Sequence, residues 1–215
     1  MSKPKYYHEL NISEERCKGR LRCIKACPTK ALRSFQNKVI LKDDLCIDCG
    51  NCFKACPEQV FKSNIDEMTD FDDFKYLIAI PTPVLYTQFG LEVSPKSINQ
   101  ALKNIGFDEV VNIYDTSNEV GYAINHHITT NKEKIKPIII SYCPTVVRYI
   151  QVSYPNLVQN VAGFDVPREI KAKEIKNTYP KKLGLKAEEI GVIYITPCPA
   201  KVISIKQPAE KAKSW

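Results

Sequence analysis

Seven of the chain's nine cysteines lie between Cys17 and Cys56, and they form two blocks. The first runs Cys17, five residues, Cys23, three residues, Cys27-Pro28. The second runs Cys46, two residues, Cys49, two residues, Cys52, three residues, Cys56-Pro57. Both close on Cys-Ile/Phe-Lys-Ala-Cys-Pro, so the segment is an internal repeat. A disulfide framework wants an oxidising compartment and usually an even number of cysteines. The count is odd, and no N-terminal stretch joins a basic start to an apolar core as a secretory signal does. Metal binding is the better explanation. Zinc ribbons use two C-x2-C pairs separated by longer gaps, not tight triplets closed by Cys-Pro.

The second block has the spacing of the bacterial ferredoxin run. There a tight loop brings three soft thiolates to one iron–sulfur cube, and the fourth cysteine ligates the other cluster. Crossing the blocks predicts a 4Fe-4S cluster on Cys46, Cys49, Cys52 and Cys27. The first block departs from the pattern, because Arg20 stands where its second cysteine belongs. A guanidinium has no lone pair to donate. The other site is left with Cys17, Cys23 and Cys56, which suit a 3Fe-4S cluster or an altered 4Fe-4S cluster. Residues 1–65 carry 13 Lys and Arg against 7 Asp and Glu, while residues 66–215 carry 18 against 17. Cations near thiolate-held clusters offset their charge and raise their potential. An ordinary solvated surface and a nucleic-acid patch are the other readings of that excess; no nucleic-acid partner is expected.

After an acidic stretch at residues 63–73 the pattern changes to strand–helix alternation. Strands are expected at 76–80, 110–114, 138–142 and 191–195. Helices are expected from Pro95 to about Asn104, over 117–131, over 145–152 and over 167–179. A small hairpin is expected at 34–41, with Asn37-Lys38 near its turn. The fold class is therefore α+β. A ferredoxin-like domain at 1–65 and a linker at 66–73 precede an α/β domain at 74–215 with a mostly parallel sheet. Two of the strands run out near Cys143-Pro144 and Cys198-Pro199, and sites in such sheets gather beyond the carboxyl ends of strands. Taken alone, Cys143 and Cys198 read as buried thiols, a common state for free cysteine. No apolar run reaches the roughly 18 residues a membrane span needs, and the chain reads as cytoplasmic.

Tyr142-Cys143-Pro144-Thr145-Val146-Val147-Arg148-Tyr149-Ile150, with Tyr154-Pro155-Asn156-Leu157, resembles the first active-site motif of the iron-only ([FeFe]) hydrogenases. Thr196-Pro197-Cys198-Pro199-Ala200-Lys201 is similar to their second motif, closest to sensory-type members. The resemblance implies that Cys143 and Cys198 are two of four thiolates holding the cubane of a six-iron centre, and that Lys201 hydrogen-bonds its diiron part. The family's other two ligands belong to a later glycine-rich motif, so the chain is expected to be a fragment, inactive by itself. Tyr142 replaces the proton-passing cysteine of hydrogen-producing members, and a phenol with pKa near 10 is a slow relay at neutral pH. The acidic residues that continue the proton path are not evident in Ser117–Ile124, although Glu119 lies there. The resemblance thus implies hydrogen sensing or slow turnover, with H2 and protons as substrate. Electrons would pass through the N-terminal clusters to a ferredoxin-type redox partner, or a signalling domain or kinase would act as partner. The rivals are a ferredoxin-type electron carrier on a degenerate scaffold and an iron–sulfur assembly factor.

Three lesser features read as structural. His126-His127 share no helix face and are expected at the surface. His8 lies in an extended lead-in. Lys171, Lys173 and Lys176 read as a solvated helix face, or as a docking patch for an acidic partner.

Overall fold

The structure, a computed structural model, describes residues 8–130 and 136–206. Its elements, numbered in chain order, fall into two units. The first comprises residues 8–65, 136–163 and 198–206 of the described chain, and the second 66–130 and 164–197. This division differs from the expected 1–65, 66–73 and 74–215, because both Cys-Pro segments fold with the cysteine-rich repeat. The acidic stretch is not a bare linker: Met68–Phe71 is a 3-10 turn boxed by Glu67 and Asp70.

In the first unit, β1 (Leu10–Ile12) pairs antiparallel with β4 (Phe61–Ser63), and β2 (Leu32–Phe35) with β3 (Lys38–Leu41). The β2–β3 turn sits on Gln36-Asn37, both left-handed at φ 48° and 60°. That is one residue earlier than expected, and its hand matches the twist of a two-residue hairpin. Helices α1 (Arg22–Ala26) and α2 (Asn51–Ala55) are single turns, each followed by a Cys-Pro that cannot extend it. The repeat persists in the backbone. Gly19, Leu21 and Lys30 take positive φ, and so do Asp48, Gly50 and Gln59, each 29 residues further on. Leu32, Val39, Val60 and Phe61 close a small core with Cys23. A second portion of this unit holds α6 (Pro144–Ser153), α8 (Pro199–Lys206) and a parallel pair, β7 (Ile139–Ile140) with β8 (Val161–Ala162).

The second unit centres on a parallel sheet in the order β6-β5-β9, from β5 (Tyr76–Pro81), β6 (Glu109–Val110) and β9 (Ile190–Ile195). Ile78, Ile80 and Ile190 meet Ile175 on one side, while Ala79 meets Leu102 and Phe107 on the other. Burial on both faces explains why β5 reads as a continuous apolar run. A short α3 (Pro83–Tyr86) follows β5. Helix α4 (Pro95–Asn104) starts where expected: Ser94 Oγ accepts from the Ser97 amide at 3.1 Å, and Pro95 occupies the first turn. Helix α5 (Tyr114–Thr130) begins earlier than expected and shortens β6, because Asn112 Oδ1 accepts from the Tyr114 amide and turns the chain. Helix α7 (Pro167–Leu183) runs through Pro180 to a left-handed Gly184. The expected strand at 138–142 is only β7, and it belongs to the first unit's separate pair rather than to this sheet. Strands and helices of both kinds, with parallel sheets, make the chain mixed α and β. No helix among the described residues is long and apolar enough to cross a membrane.

Candidate metal centre

The repeat builds two pockets. One is lined by Cys46, Cys49 and Cys52 together with Cys27 of the other block. The second is lined by Cys17, Cys23 and Cys56. The backbone explains the convergence. Left-handed residues two and four places after the first cysteine curl each loop (Gly19 and Leu21, then Asp48 and Gly50), so the thiols of one loop turn inward together.

The chemistry of the larger thiol set fits a cationic inorganic core. Burial, with Asp48 and neighbouring thiols adding to it, pushes Cys46 up to about 12. Burial and Cys49 likewise push Cys52 up to about 12. Burial also raises Cys49, with Cys27 contributing. Cys27 runs the other way: burial acts to raise it, but hydrogen bonds from the Leu32 backbone, Thr29 and Ala31 outweigh that. The Ala31 amide donates to Cys27 Sγ at 3.2 Å. Crowded thiols that resist ionising alone become good ligands once a metal core supplies positive charge. In the three-thiol pocket, Cys23 is raised by burial, with Cys56 and Cys17 adding their charge. Arg20 occupies the place of Cys49, 29 residues earlier, and its Nε lies 2.6 Å from Glu58 Oε1.

Both Cys-Pro segments sit beside the four-thiol pocket. Pro199, next to Cys198, is part of its lining. It also lies 3.5 Å from where a Cβ on Gly50 would sit. Arg148, five residues after Cys143, donates to the carbonyls of Asp44 at 3.1 Å and Cys46 at 3.4 Å. Helices α6 and α8 pack on each other. Cys143 is exposed and Cys198 half-buried. Lys201 is half-buried in the first turn of α8, and its amide donates to the Cys198 carbonyl at 3.1 Å. Two thiolates are too few to hold a cubane, so this donor set is incomplete. Among the described residues the Tyr142 hydroxyl, which is buried, has no hydrogen-bond partner, and burial raises it above the ordinary phenol value.

Several residues were not legible as site residues. His8, in the lead-in, is half-buried with its ring 6% exposed, and it bonds Asp48 at 2.9 Å through Nδ1 and the Asp43 carbonyl at 2.9 Å through Nε2. The ligating atoms of His8, Cys46 and Asp48 lie within 4.8 Å of one another. Arg148 and Glu58 carry no local signal of a site role, although Glu58 follows a Cys-Pro as Thr29 does in the other block. His127 stacks edge-on to Phe164 at 5.1 Å. In the lysine run, Lys171 pairs with Glu174 at 2.6 Å as a helix-face pair should. Lys176 instead donates to the carbonyls of Ala187 and Ile190, so the run is not one solvated face.

Comparison with known proteins agrees with this geometry. Residues 75–214 match the family described as "Iron only hydrogenase large subunit, C-terminal domain", and residues 9–57 match the "4Fe-4S dicluster domain". Iron hydrogenase 1 of Clostridium pasteurianum is 29% identical over 125 residues, 56% of this chain and 21% of that protein. The NADP-reducing hydrogenase subunit HndD of Solidesulfovibrio fructosivorans is 24% identical over 208 residues, 93% of this chain and 32% of that one. The cytosolic Fe-S cluster assembly factor NAR1 of Botryotinia fuckeliana is 31% identical over 67 residues, 31% of this chain and 12% of that one. The chain therefore spans a third or less of these curated relatives. A solved variant of [FeFe]-hydrogenase HydA1 from Chlamydomonas reinhardtii shares the fold at a TM-score of 0.50 and 23% identity, over 68% of this chain and 37% of that one. With cysteine pockets at one end of its sequence and the paired Cys-Pro segments at the other, the chain belongs to the iron-only hydrogenase large-subunit family, preceded by a ferredoxin-like 4Fe-4S domain.

Proposed function

We propose that the chain is the electron-transferring part of a hydrogen-sensing or slow-turnover iron-only hydrogenase. One observation carries this reading: Pro199 and Arg148, from the two Cys-Pro segments, contact the loop and pocket of the four-thiol site. That arrangement suits a wire whose near end lies against the hydrogen-activating site. Cys27, Cys46, Cys49 and Cys52 would hold a 4Fe-4S cluster. Cys17, Cys23 and Cys56 would hold a second cluster with one corner free of cysteine. Cys143 and Cys198 would supply two of the thiolates of a six-iron centre, whose chemistry is the heterolytic splitting of H2. Around it, Lys201 offers a positive charge in the turn after Cys198. Tyr142, pushed above the ordinary phenol value, holds its proton too tightly for fast relay, which favours sensing over hydrogen evolution. The Pro-Cys-Pro-Ala-Lys sequence supports the sensory type. The basic first block suits an acidic, ferredoxin-type redox partner, and a cytoplasmic setting suits such chemistry.

The test is anaerobic maturation of the protein followed by infrared spectroscopy. Bands of iron-bound carbonyl and cyanide are expected. Their absence from protein that carries its ferredoxin-type clusters would remove the six-iron reading. A second reading, cluster assembly or trafficking, is favoured by the likeness to the assembly factor. It expects cluster binding without those bands and transfer of the cluster to an apo-acceptor.

A further inference from the structure

We infer that Glu58 is the fourth ligand of the cluster held by Cys17, Cys23 and Cys56, and that Arg20 positions it. The inference rests on the cluster reading and goes beyond it by naming the missing donor. Arg20 and Cys49 are equivalent in the repeat. Their neighbours Gly19 and Leu21, and Asp48 and Gly50, share the same left-handed backbone. Arg20 therefore occupies the slot of a ligand without being able to donate an electron pair. Apart from the three thiols, Glu58 is the one side chain with lone pairs at neutral pH among the described residues that line the pocket. Its surroundings there are cationic: Lys18, Arg20, Arg22 and Lys38.

The ion pair has an inner and an outer member. The Glu58 side chain is 12% exposed and that of Arg20 53%. The guanidinium lies 2.6 Å from Oε1, and a carboxylate has a second oxygen that can serve as a ligand. The equivalent residue of the other block, Thr29, lines the other pocket and lies 3.7 Å from Cys27 Sγ. This position thus adjoins the thiols in both halves, and only the half that lacks a cysteine places a carboxylate there. Iron accepts carboxylate ligands readily. Glu58 would bind the corner iron through Oε2, with no electron transfer and no bond broken in the protein.

The full chain, reconstituted with iron and sulfide under argon, gives a direct readout. An oxidised three-iron cluster is paramagnetic, whereas an oxidised four-iron cluster is silent. The wild type is expected to be silent at both sites. Glu58→Ala is expected to lose the corner iron and show the three-iron signal at close to one spin per chain. Adding Arg20→Cys to that variant supplies a fourth thiolate and should silence it again. Arg20→Gln alone should weaken iron retention during gel filtration without abolishing the site. The four-thiol cluster, seen on reduction, should persist in every variant and serves as the folding control. A three-iron signal already present in the wild type would overturn the assignment, as would a silent Glu58→Ala. Protein that takes up no iron at all would instead overturn the cluster reading beneath it.

Discussion

The thiols of the four-cysteine pocket should reveal their environment most clearly when the metal is removed. Cys46 and Cys52 are pushed up to about 12 from an ordinary 9.0, while Cys27 is held below it. At pH 9 an ordinary thiol is about half ionised, whereas one near 12 is ionised to about one part in a thousand, a roughly 500-fold deficit. The more basic thiolate is also the better nucleophile. A Brønsted slope of about 0.4–0.5 over three units returns about 15–30-fold. The net expectation is that Cys46 and Cys52 alkylate about 20-fold more slowly than an ordinary thiol, with Cys27 fastest of the four. The assay is iodoacetamide labelling of the metal-free chain under reducing, anaerobic conditions, with each site quantified by peptide mass spectrometry. Asp48→Asn sharpens it. Asp48 is the second cause of the rise at Cys46, after burial, and is absent from the causes at Cys52. The variant should speed Cys46 several-fold and leave Cys52 unchanged. Equal rates at all four thiols, or parallel acceleration of Cys46 and Cys52 in Asp48→Asn, would refute the argument.

The same thiols make the metal-free fold sensitive to alkali. Groups raised in the folded state contribute stability that is complete below their unfolded value and lost as pH rises through the folded one, so urea midpoints should fall from about pH 9 toward 12. Cys46→Ala combined with Cys52→Ala should flatten that dependence. Equivalent loop positions should respond with opposite signs. Leu21→Gly relieves a left-handed penalty of about 1–2 kcal/mol at a return cost of about 0.5–1, and so stabilises slightly. Gly50→Ala, at φ 76°, should cost about 1–2 kcal/mol by the same penalty, both read from denaturant midpoints. Ile78→Ala, at a fully buried position of β5, should cost about 2–5 kcal/mol and lower the melting temperature by several degrees.

Local signals made part of this structure readable in advance. The start of α4 was written in Ser94-Pro95, and β5 in a run of residues buried on both faces. The cysteine repeat is visible as spacing, and Cys27 lines one pocket with Cys46, Cys49 and Cys52. The remaining features depend on partners distant in sequence. β8 has only two residues, Val161 and Ala162, and exists because Ile139 and Ile140 pair with it. Periodicity cannot detect so short a strand. Arg148 looks like any helical arginine until the carbonyls of Asp44 and Cys46, about a hundred positions earlier, meet it. His8 looked like lead-in because its partners, Asp48 and the Asp43 carbonyl, come from the second block.

Arg20 raises the question of whether the first block has lost its ligand or exchanged it, and the backbone bears on the answer. Leu21 is left-handed at φ 59° and Lys30 at 54°, neither of them glycine. A non-glycine residue pays about 1–2 kcal/mol for that conformation. A surface loop released from ligand duty has no reason to keep such a cost, since local relaxation would remove it. Yet the first block keeps the curl of the second, and Cys17, Cys23 and Cys56 still line one pocket. The cost is intelligible if the curl still positions donors around a core, with Glu58 the fourth of them as proposed above. On that argument Arg20 altered the chemistry of the site and left its architecture in place.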